Sequence, residues 1–345
     1  KINKPIILAA NKADSSQAGE GISDFYRLGL SSPVAVSAMH GLNINYLLDK
    51  ICEALPLEGK GGREEGIKVA VVGRPNVGKS SFINTLLQEE RLIVDKKPGT
   101  TRDAIDTAFH LGEEKFVFVD TAGMRPRGKV KRGVESYSVI RTRRSIERGD
   151  IALIMIDAGE GFTSQDARIA SYVYEQGRGC IIGVNKWDLI VEGLKSEVES
   201  KINDRALRAE IKRVGEEYRK VIREKLKFLN FAPLIFISAL TGERVFEVIN
   251  LVRTVTKQQT SRPSIGALTK VFEEAVAHYR PPGGQAKPVT LHRLSQVGIK
   301  PPTFVLFANH PQFITESYLR YLSNRLRQAF GFEGTPLKII PRKGR

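Results

Sequence analysis

The chain has 345 residues, 41% of them apolar and 27% charged, a balance that fits a globular protein of two or three domains and excludes a disordered or fibrous chain. Lys plus Arg is 54 against 38 for Asp plus Glu, a net charge of +16, and two stretches hold the excess: residues 257–345 with 14 basic and 4 acidic side chains, and residues 125–148 with 9 basic and 2 acidic. Positive charge gathered in this way points to a polyanion, either nucleic acid or a membrane surface, with solubility charge as the plain alternative.

No apolar run reaches the length of a bilayer span. The opening Lys1-Ile2-Asn3-Lys4-Pro5 carries no signal-peptide pattern. Two cysteines, Cys52 and Cys180, lie far apart, so no disulfide framework is expected and a reducing compartment is. The five histidines show no metal-ligand spacing.

In chain order, residues 1–56 read as a strand (Pro5 to Ala10) ending in Asn11-Lys12-Ala13-Asp14, a helical stretch, and a second strand (Pro33 to Val36) ending in Ser37-Ala38. A last helix follows over about 43–54. Residues 57–66 hold four glycines and read as a flexible linker. Residues 67–256 alternate apolar strands, expected at 67–72, 115–119, 151–156, 180–184 and 234–237, with helical segments. That is the pattern of an α/β fold with an open, mostly parallel sheet, whose ligands sit at the carboxyl ends of the strands. Residues 257–345 change character and predict a small α+β module. Its strands are expected at Thr303–Ala308 and Pro336–Ile340, with a helix over about 313–330 between them. The helix has an apolar face of Ile314, Tyr318, Tyr321, Leu322, Leu326 and Phe330, and a basic face of Arg320, Arg325 and Arg327.

The chemistry is carried by Gly73-Arg74-Pro75-Asn76-Val77-Gly78-Lys79-Ser80, with Ser81 continuing into a helix. A β-branched strand precedes the loop and a helical pattern follows it, the context that makes this spacing a P-loop. Glycines let the backbone turn tightly with its N–H groups bare, so that they ring a phosphate at a helix N-terminus. Lys79 supplies a point charge to the outer phosphates and the Ser80 hydroxyl can ligate Mg²⁺.

Asp120-Thr121-Ala122-Gly123 stands at the next strand end. There Asp120 can hold Mg²⁺ through water and Gly123 can direct its N–H at a γ-phosphate. Asn185-Lys186-Trp187-Asp188 ends a further strand. An aspartate there can accept from both N1 and the 2-amino group of guanine, a pair of donors that adenine lacks. Asn185 is expected to face the base, the Lys186 stem to pack on its plane, and a backbone N–H of Ser238-Ala239-Leu240 to reach its O6. The chain also repeats itself: residues 5–41 and 180–242 both read strand, Asn-Lys-x-Asp, helix, strand, Ser-Ala.

These motifs resemble the translation-factor class of GTPases. The order of half-domain, glycine-rich linker, full G domain and basic C-terminal module resembles, from end to end, the Der (EngA) family of tandem-GTPase ribosome assembly factors. The resemblance implies P-loop G domains followed by a KH-like domain over residues 257–345. It also implies GTP and GDP as ligands, with Lys79, Thr101 and Gly123 as catalytic residues and Ser80, Thr101 and Asp120 around Mg²⁺. Asn76 resembles the residue that holds K⁺ in one subset of these enzymes. Pro98-Gly99-Thr100-Thr101-Arg102-Asp103 resembles their switch I. Met124 stands where a water-orienting glutamine is found in Ras-like enzymes, so K⁺ is expected to take over the role of an arginine finger.

Arg125–Arg132 resembles a basic switch II, with Arg127, Lys129, Lys131 and Arg132 as RNA contacts beside Arg320, Arg325 and Arg327. No Gly-x-x-Gly clamp is found between suitable helices of the C-terminal module, where Gly283-Gly284 is adjacent and proline-flanked. Phosphate contacts are therefore expected from the helix face and from the tail Lys338–Arg345. The implied partner is the precursor of the large ribosomal subunit and its rRNA, bound by a monomer in a bacterial cytoplasm or an organelle of bacterial descent. A first G domain would begin before residue 1, leaving Asn11, Lys12 and Asp14 as its guanine-side remnant. A tRNA-modification or membrane-associated GTPase of the same subset, and an RNA scaffold that holds GTP without turnover, are the rival readings.

Overall fold

The computed structural model describes residues 6–13, 25–26, 28–29, 32–39, 43, 46–47, 50–51, 66–89, 92–94, 106–121, 134–197, 204–281 and 288–344. The chain divides into two units, Lys1–Glu65 and Gly66–Arg345.

In the first unit, β1 (Ala9–Ala10) pairs in parallel with β2 (Val34–Ala35). The pair carries the two half-motifs at its carboxyl end: Asn11 Oδ1 accepts the N–H of Ala38 at 3.0 Å and that of Lys12 at 2.8 Å.

The second unit is built on a seven-stranded sheet. Its strands are β3 (Ile67–Val72), β4 (Ile93–Val94), β5 (Thr107–Leu111), β6 (Glu114–Phe118), β7 (Ile151–Asp157), β8 (Gly179–Asn185) and β9 (Leu234–Phe236). They lie in the order β4-β5-β6-β3-β7-β8-β9. The five from β6 to β9 are parallel, and β4 and β5 run antiparallel at one edge. Strands covered on both faces read as unbroken apolar runs. The pleat then sends alternate residues into two cores: Val69, Val71, Leu153 and Met155 into one, Ala70, Val72, Ile154 and Ile156 into the other.

Over the first face lie α1 (Lys79–Leu87) and α6 (Glu247–Thr260), through Phe82, Leu86, Val248, Val252 and Val255. Over the second lie α2 (Val134–Arg148), α3 (Ser164–Glu175), α4 (Trp187–Glu197) and α5 (Asp204–Lys225), through Ile146, Ala170, Val173, Trp187 and Ile222.

The expected strands are all present, and two more stand beside them. Phe109 is the one large buried side chain of β5, and Ile93 of β4 is exposed, so the periodicity that reveals the others is absent. β5 forms a hairpin with β6, Leu111 opposite Glu114 across a turn where Gly112 takes φ +63°, and β4 pairs along its outer edge.

Beyond α6 the chain forms α7 (Ile265–His278), β10 (Leu291–Gly298), β11 (Thr303–Ala308), α8 (Glu316–Phe330) and β12 (Lys338–Lys343). β10 and β11 are antiparallel, β11 and β12 parallel. The last strand sits slightly later than its apolar run predicts. β10 is polar along most of its length, with only Leu294 buried, and no strand pattern betrays it. The position expected as a boundary, 256/257, lies within α6, which runs on to Thr260.

A loop after α8 fastens this module to the large sheet. Cys180 N–H donates to Gly334 O at 2.7 Å and Gly334 N–H donates to Phe231 O at 2.8 Å. Gly334 needs to be glycine: its φ is +71° and a Cβ there would lie 2.2 Å from Val255 Cγ2. Arg327 completes the joint. Its guanidinium donates to the carbonyls of Phe332 (2.5 Å) and Thr335 (2.7 Å) and lies over the ring of Phe231 at 4.2 Å. The sequence places Arg327 on a face offered to RNA, but the structure puts it in this joint, because the loop that follows α8 brings the carbonyls of Phe332 and Thr335 to its guanidinium. Arg320 is exposed and Arg325 half-buried, as a basic face requires.

Candidate functional site

The P-loop connects β3 to α1. Three left-handed residues shape it: Gly73 (φ +151°), Asn76 (φ +64°) and Gly78 (φ +91°). A Cβ on Gly73 would sit 2.5 Å from Met155 O, and one on Gly78 would sit 2.2 Å from Asn185 Nδ2, so both glycines are required by close neighbours as well as by conformation. None of the backbone N–H groups of Asn76 to Ser81 donates to another described residue. They form a bare ring of donors at the start of a nine-residue helix, where the helix dipole adds to their field.

Lys79 folds back over this ring. Its Nζ donates to Gly73 O at 2.9 Å and Arg74 O at 2.6 Å. Burial lowers its pKa from 10.5 to about 8, since an ammonium with only carbonyl partners is short of the water it gave up. Asn76 is exposed, and Ser80 is half-buried at the helix start.

Asn185 ends β8 and is 1% exposed. Its Nδ2 donates to Val77 O at 2.8 Å and its Oδ1 accepts Ala239 N–H at 2.8 Å. The carbonyl of the same Ala239 accepts from Thr85 Oγ1 of α1 at 2.7 Å. Besides the base contact expected of it, Asn185 thus ties the P-loop to the 238–240 loop through its amide. Ser238 is buried, with its N–H on Glu243 O and its Oγ accepting from Thr241 N–H. Of the three N–H groups of that loop, the one on exposed Leu240 has no described partner.

Lys186 takes φ +64° and its Nζ pairs with Asp157 Oδ2 at 2.6 Å. Burial presses the Asp157 carboxyl upward, but Lys186 and the N–H groups of Glu160 and Gly159 outweigh it and hold it below the usual carboxylate range. Asp188 opens α4 almost fully buried, and its Oδ1 has no hydrogen-bond partner among the described residues. A buried carboxylate oxygen without a donor is costly, and a ligand bearing N–H groups is the natural remedy.

Asp120 stands just past β6 with φ +59°, its N–H on Asp106 Oδ1 at 2.9 Å. Its Oδ2 accepts from Ser145 Oγ at 3.2 Å and lies 3.8 Å from Arg141 Nε. Thr121 is buried, and its Oγ1 lies 2.9 Å from Thr107 Oγ1.

Arg74 departs from expectation. Its Nε donates to both oxygens of Asp166 (3.0 and 3.1 Å), and its two terminal nitrogens donate to Glu160 (2.7 Å) and Gly161 O (3.2 Å). Asp166 in turn forms a capping box with Thr163 at the start of α3. Arg74 braces the loop and is not offered to a ligand, and sequence reasoning missed this support because nothing in the spacing of Arg74, Asp157, Thr163 and Asp166 announces it. Thr101, Ala122, Gly123, Asp14, Arg127, Lys129, Lys131 and Arg132 lie outside the described residues, as do Met124 and Gly283-Gly284.

A ring of bare N–H donors at one strand end, an underserved carboxylate at another and a parallel sheet between them define a P-loop GTPase. Residues 68–186 match the family described as "50S ribosome-binding GTPase", and residues 262–342 match the "KH-domain-like of EngA bacterial GTPase enzymes, C-terminal". The chain is 45% identical over 343 residues to the GTPase Der of Moorella thermoacetica, covering 99% of this chain and 74% of that one. It is 47% identical over 347 residues to the GTPase Der of Acetivibrio thermocellus, with the same coverage. Among solved structures, Era in complex with MgGDPNP and nucleotides 1506–1542 of 16S ribosomal RNA overlaps 80% of this chain and 93% of its own at 23% identity and a TM-score of 0.36, too loose a fit to add anything. The chain belongs to the GTPase Der family. It is a GTP hydrolase, an α/β G domain joined to a KH-like domain.

Proposed function

We propose that the hydrolysis is K⁺-assisted, that its site is the one assembled above, and that it times the binding of this protein to the rRNA of the maturing large ribosomal subunit. The observation that carries the nucleotide site is the pairing of unengaged N–H groups at Asn76–Ser81 with the donor-short carboxylate of Asp188. The first suits a triphosphate and the second the N1 and 2-amino donors of guanine. Asn185 keeps the two ends in register through Val77 and Ala239. In this reading Lys79 leaves its two loop carbonyls for the β- and γ-phosphates, and Leu240 N–H is free for the base carbonyl.

The donors left for a divalent ion are oxygens, the Ser80 hydroxyl and the Asp120 carboxylate, which suit a hard cation such as Mg²⁺; Thr101 would join them. When bound, Mg²⁺ neutralises charge on the phosphate oxygens. Asn76 is exposed beside the loop, with its side chain engaged by no described residue, and would hold K⁺. Gly123 would present its N–H to the γ-phosphate.

Support for the ribosomal role comes from the family descriptions and from the charge of residues 257–345, 14 basic against 4 acidic. No helix among the described residues is long and apolar enough to cross a membrane. The relatives are bacterial, which supports a bacterial cytoplasm as the place of action. The test is GTP turnover in K⁺ and in Na⁺ at one ionic strength. Faster turnover in K⁺, with the difference removed by Asn76→Ala, is expected; equal rates in the two salts reject the K⁺ mechanism.

A further inference from the structure

The sheet of the C-terminal module has one covered face and one open face. Helices α7 and α8 pack against Leu294, Phe304, Leu306, Ala308 and Ile339. The pleat sends the intervening residues the other way, and none of them belongs to that core. The register aligns them in rows across the three strands: Arg293, Phe307 and Arg342 in one, Ser295, Val305 and Ile340 in the next, then Thr303 and Lys338.

Arg293 and Arg342 are exposed, and Phe307 between them is only half-buried. The guanidinium of Arg293 already lies over the Phe307 ring at 4.3 Å. Lys338, also exposed, adds a third positive charge, and no acidic residue occurs in any of these rows. The chain passes close by at Gly344, where a Cβ would come within 2.9 Å of the Phe307 side chain; a glycine there leaves the ring uncrowded.

We propose that this open face binds single-stranded RNA, with a base stacked on Phe307 and the flanking phosphates on Arg293, Arg342 and Lys338. This rests on the RNA-binding reading above and gives it a place. The chemistry favours this occupant over others. An aromatic ring on a sheet, set between cations, matches a strand that alternates flat bases and phosphates, and bases splayed from a single strand are free to stack. An apolar protein partner would leave both arginines facing a surface without counter-charge. Duplex RNA keeps its bases stacked on one another and offers the ring nothing.

The probe is a fluorescein-labelled, unstructured ten-nucleotide RNA, followed by anisotropy with the full chain across a KCl series. Phe307→Ala should weaken binding about tenfold, as loss of one base stack does, without altering the salt slope. Phe307→Tyr should bind like the wild type. Arg293→Gln with Arg342→Gln should flatten the slope by about 1.4, at roughly 0.7 per phosphate lost. Thermal unfolding of each variant reports whether the module is folded.

If the RNA binds and Phe307→Ala changes nothing, or a duplex of the same length binds better, the open face is not the site, while RNA binding by the protein stands. If the wild-type chain binds no RNA, the broader reading fails together with this one.

Discussion

The N–H of Ala239 donates to Asn185 Oδ1 at 2.8 Å, and the N–H of Ala38 donates to Asn11 Oδ1 at 3.0 Å in the first unit. In both, the asparagine ends a parallel strand, and the lysine after it adopts a left-handed backbone, φ +64° at Lys186 and +69° at Lys12. The serine before each alanine is buried. The internal repeat is thus a repeat of one hydrogen-bonded corner, whose asparagine joins two loops from within.

That role separates two residues of one motif. Asn185→Ala strips Val77 O of its donor and Ala239 N–H of its acceptor, at about 1–3 kcal/mol for a buried group left unpaired. GTP affinity should fall on the order of tenfold or more, and xanthosine triphosphate affinity by the same factor, since the loops lose register while the base contact of Asp188 stays. Equilibrium binding of both nucleotides checks this, and a selective loss of one of them would make the base contact of Asn185 the larger part of its role.

Lys79 makes the site sensitive to pH. Burial holds its pKa at about 8 while it faces only carbonyls. A bound triphosphate favours the charged form and raises that pKa. The complex then carries more protons than the free protein wherever the pH exceeds about 8, and affinity for GTP should decline as pH rises through that value. Calorimetry at pH 8.5 in two buffers of different ionisation enthalpy should show proton uptake on binding. Lys79→Arg, always charged, should lose the effect.

Arg327 is predicted to act on stability. It holds two carbonyls and the Phe231 ring, and burial lowers its pKa to about 10. Arg327→Ala should lower Tm by several degrees, consistent with roughly 2–4 kcal/mol for a buried network left open. Arg320→Ala, on an exposed residue, should leave Tm within a degree. If both changes behave alike in thermal unfolding, the joint described here does not hold the module in place.

Arg320 and Arg325 remain candidates for phosphate contacts. Arg320→Glu with Arg325→Glu should weaken pelleting with large ribosomal subunits and leave GTP hydrolysis by the isolated protein unchanged. Pelleting that is equal to wild type across a salt series would assign these charges to solubility alone.

Most of the sheet was legible because its central strands are covered on both faces and so are apolar throughout. Glycine spacing and strand context revealed the P-loop for the same local reasons. What escaped notice is non-local. The hydrogen-bonding loyalties of Arg74 and Asn185 depend on residues 92 and 54 positions away, and no periodicity records them. The edge strands β4 and β5 and the polar β10 were missed because a strand with little to bury leaves no alternation to read. Arg327 was misplaced for the opposite reason: helical periodicity separates the faces of a helix but does not tell solvent from a neighbouring module.

The most direct test of the guanine site is the base preference of Asp188→Asn. The wild-type carboxylate can accept two N–H donors at once, and Oδ1 has none within the described chain. An amide in its place offers a donor and an acceptor, which matches the 2-oxo group and N–H of xanthine. Competition binding should show the variant losing GTP on the order of a hundredfold, about 2.7 kcal/mol, while gaining xanthosine triphosphate. Unchanged preference for GTP in Asp188→Asn would contradict the assignment of Asp188 to the base.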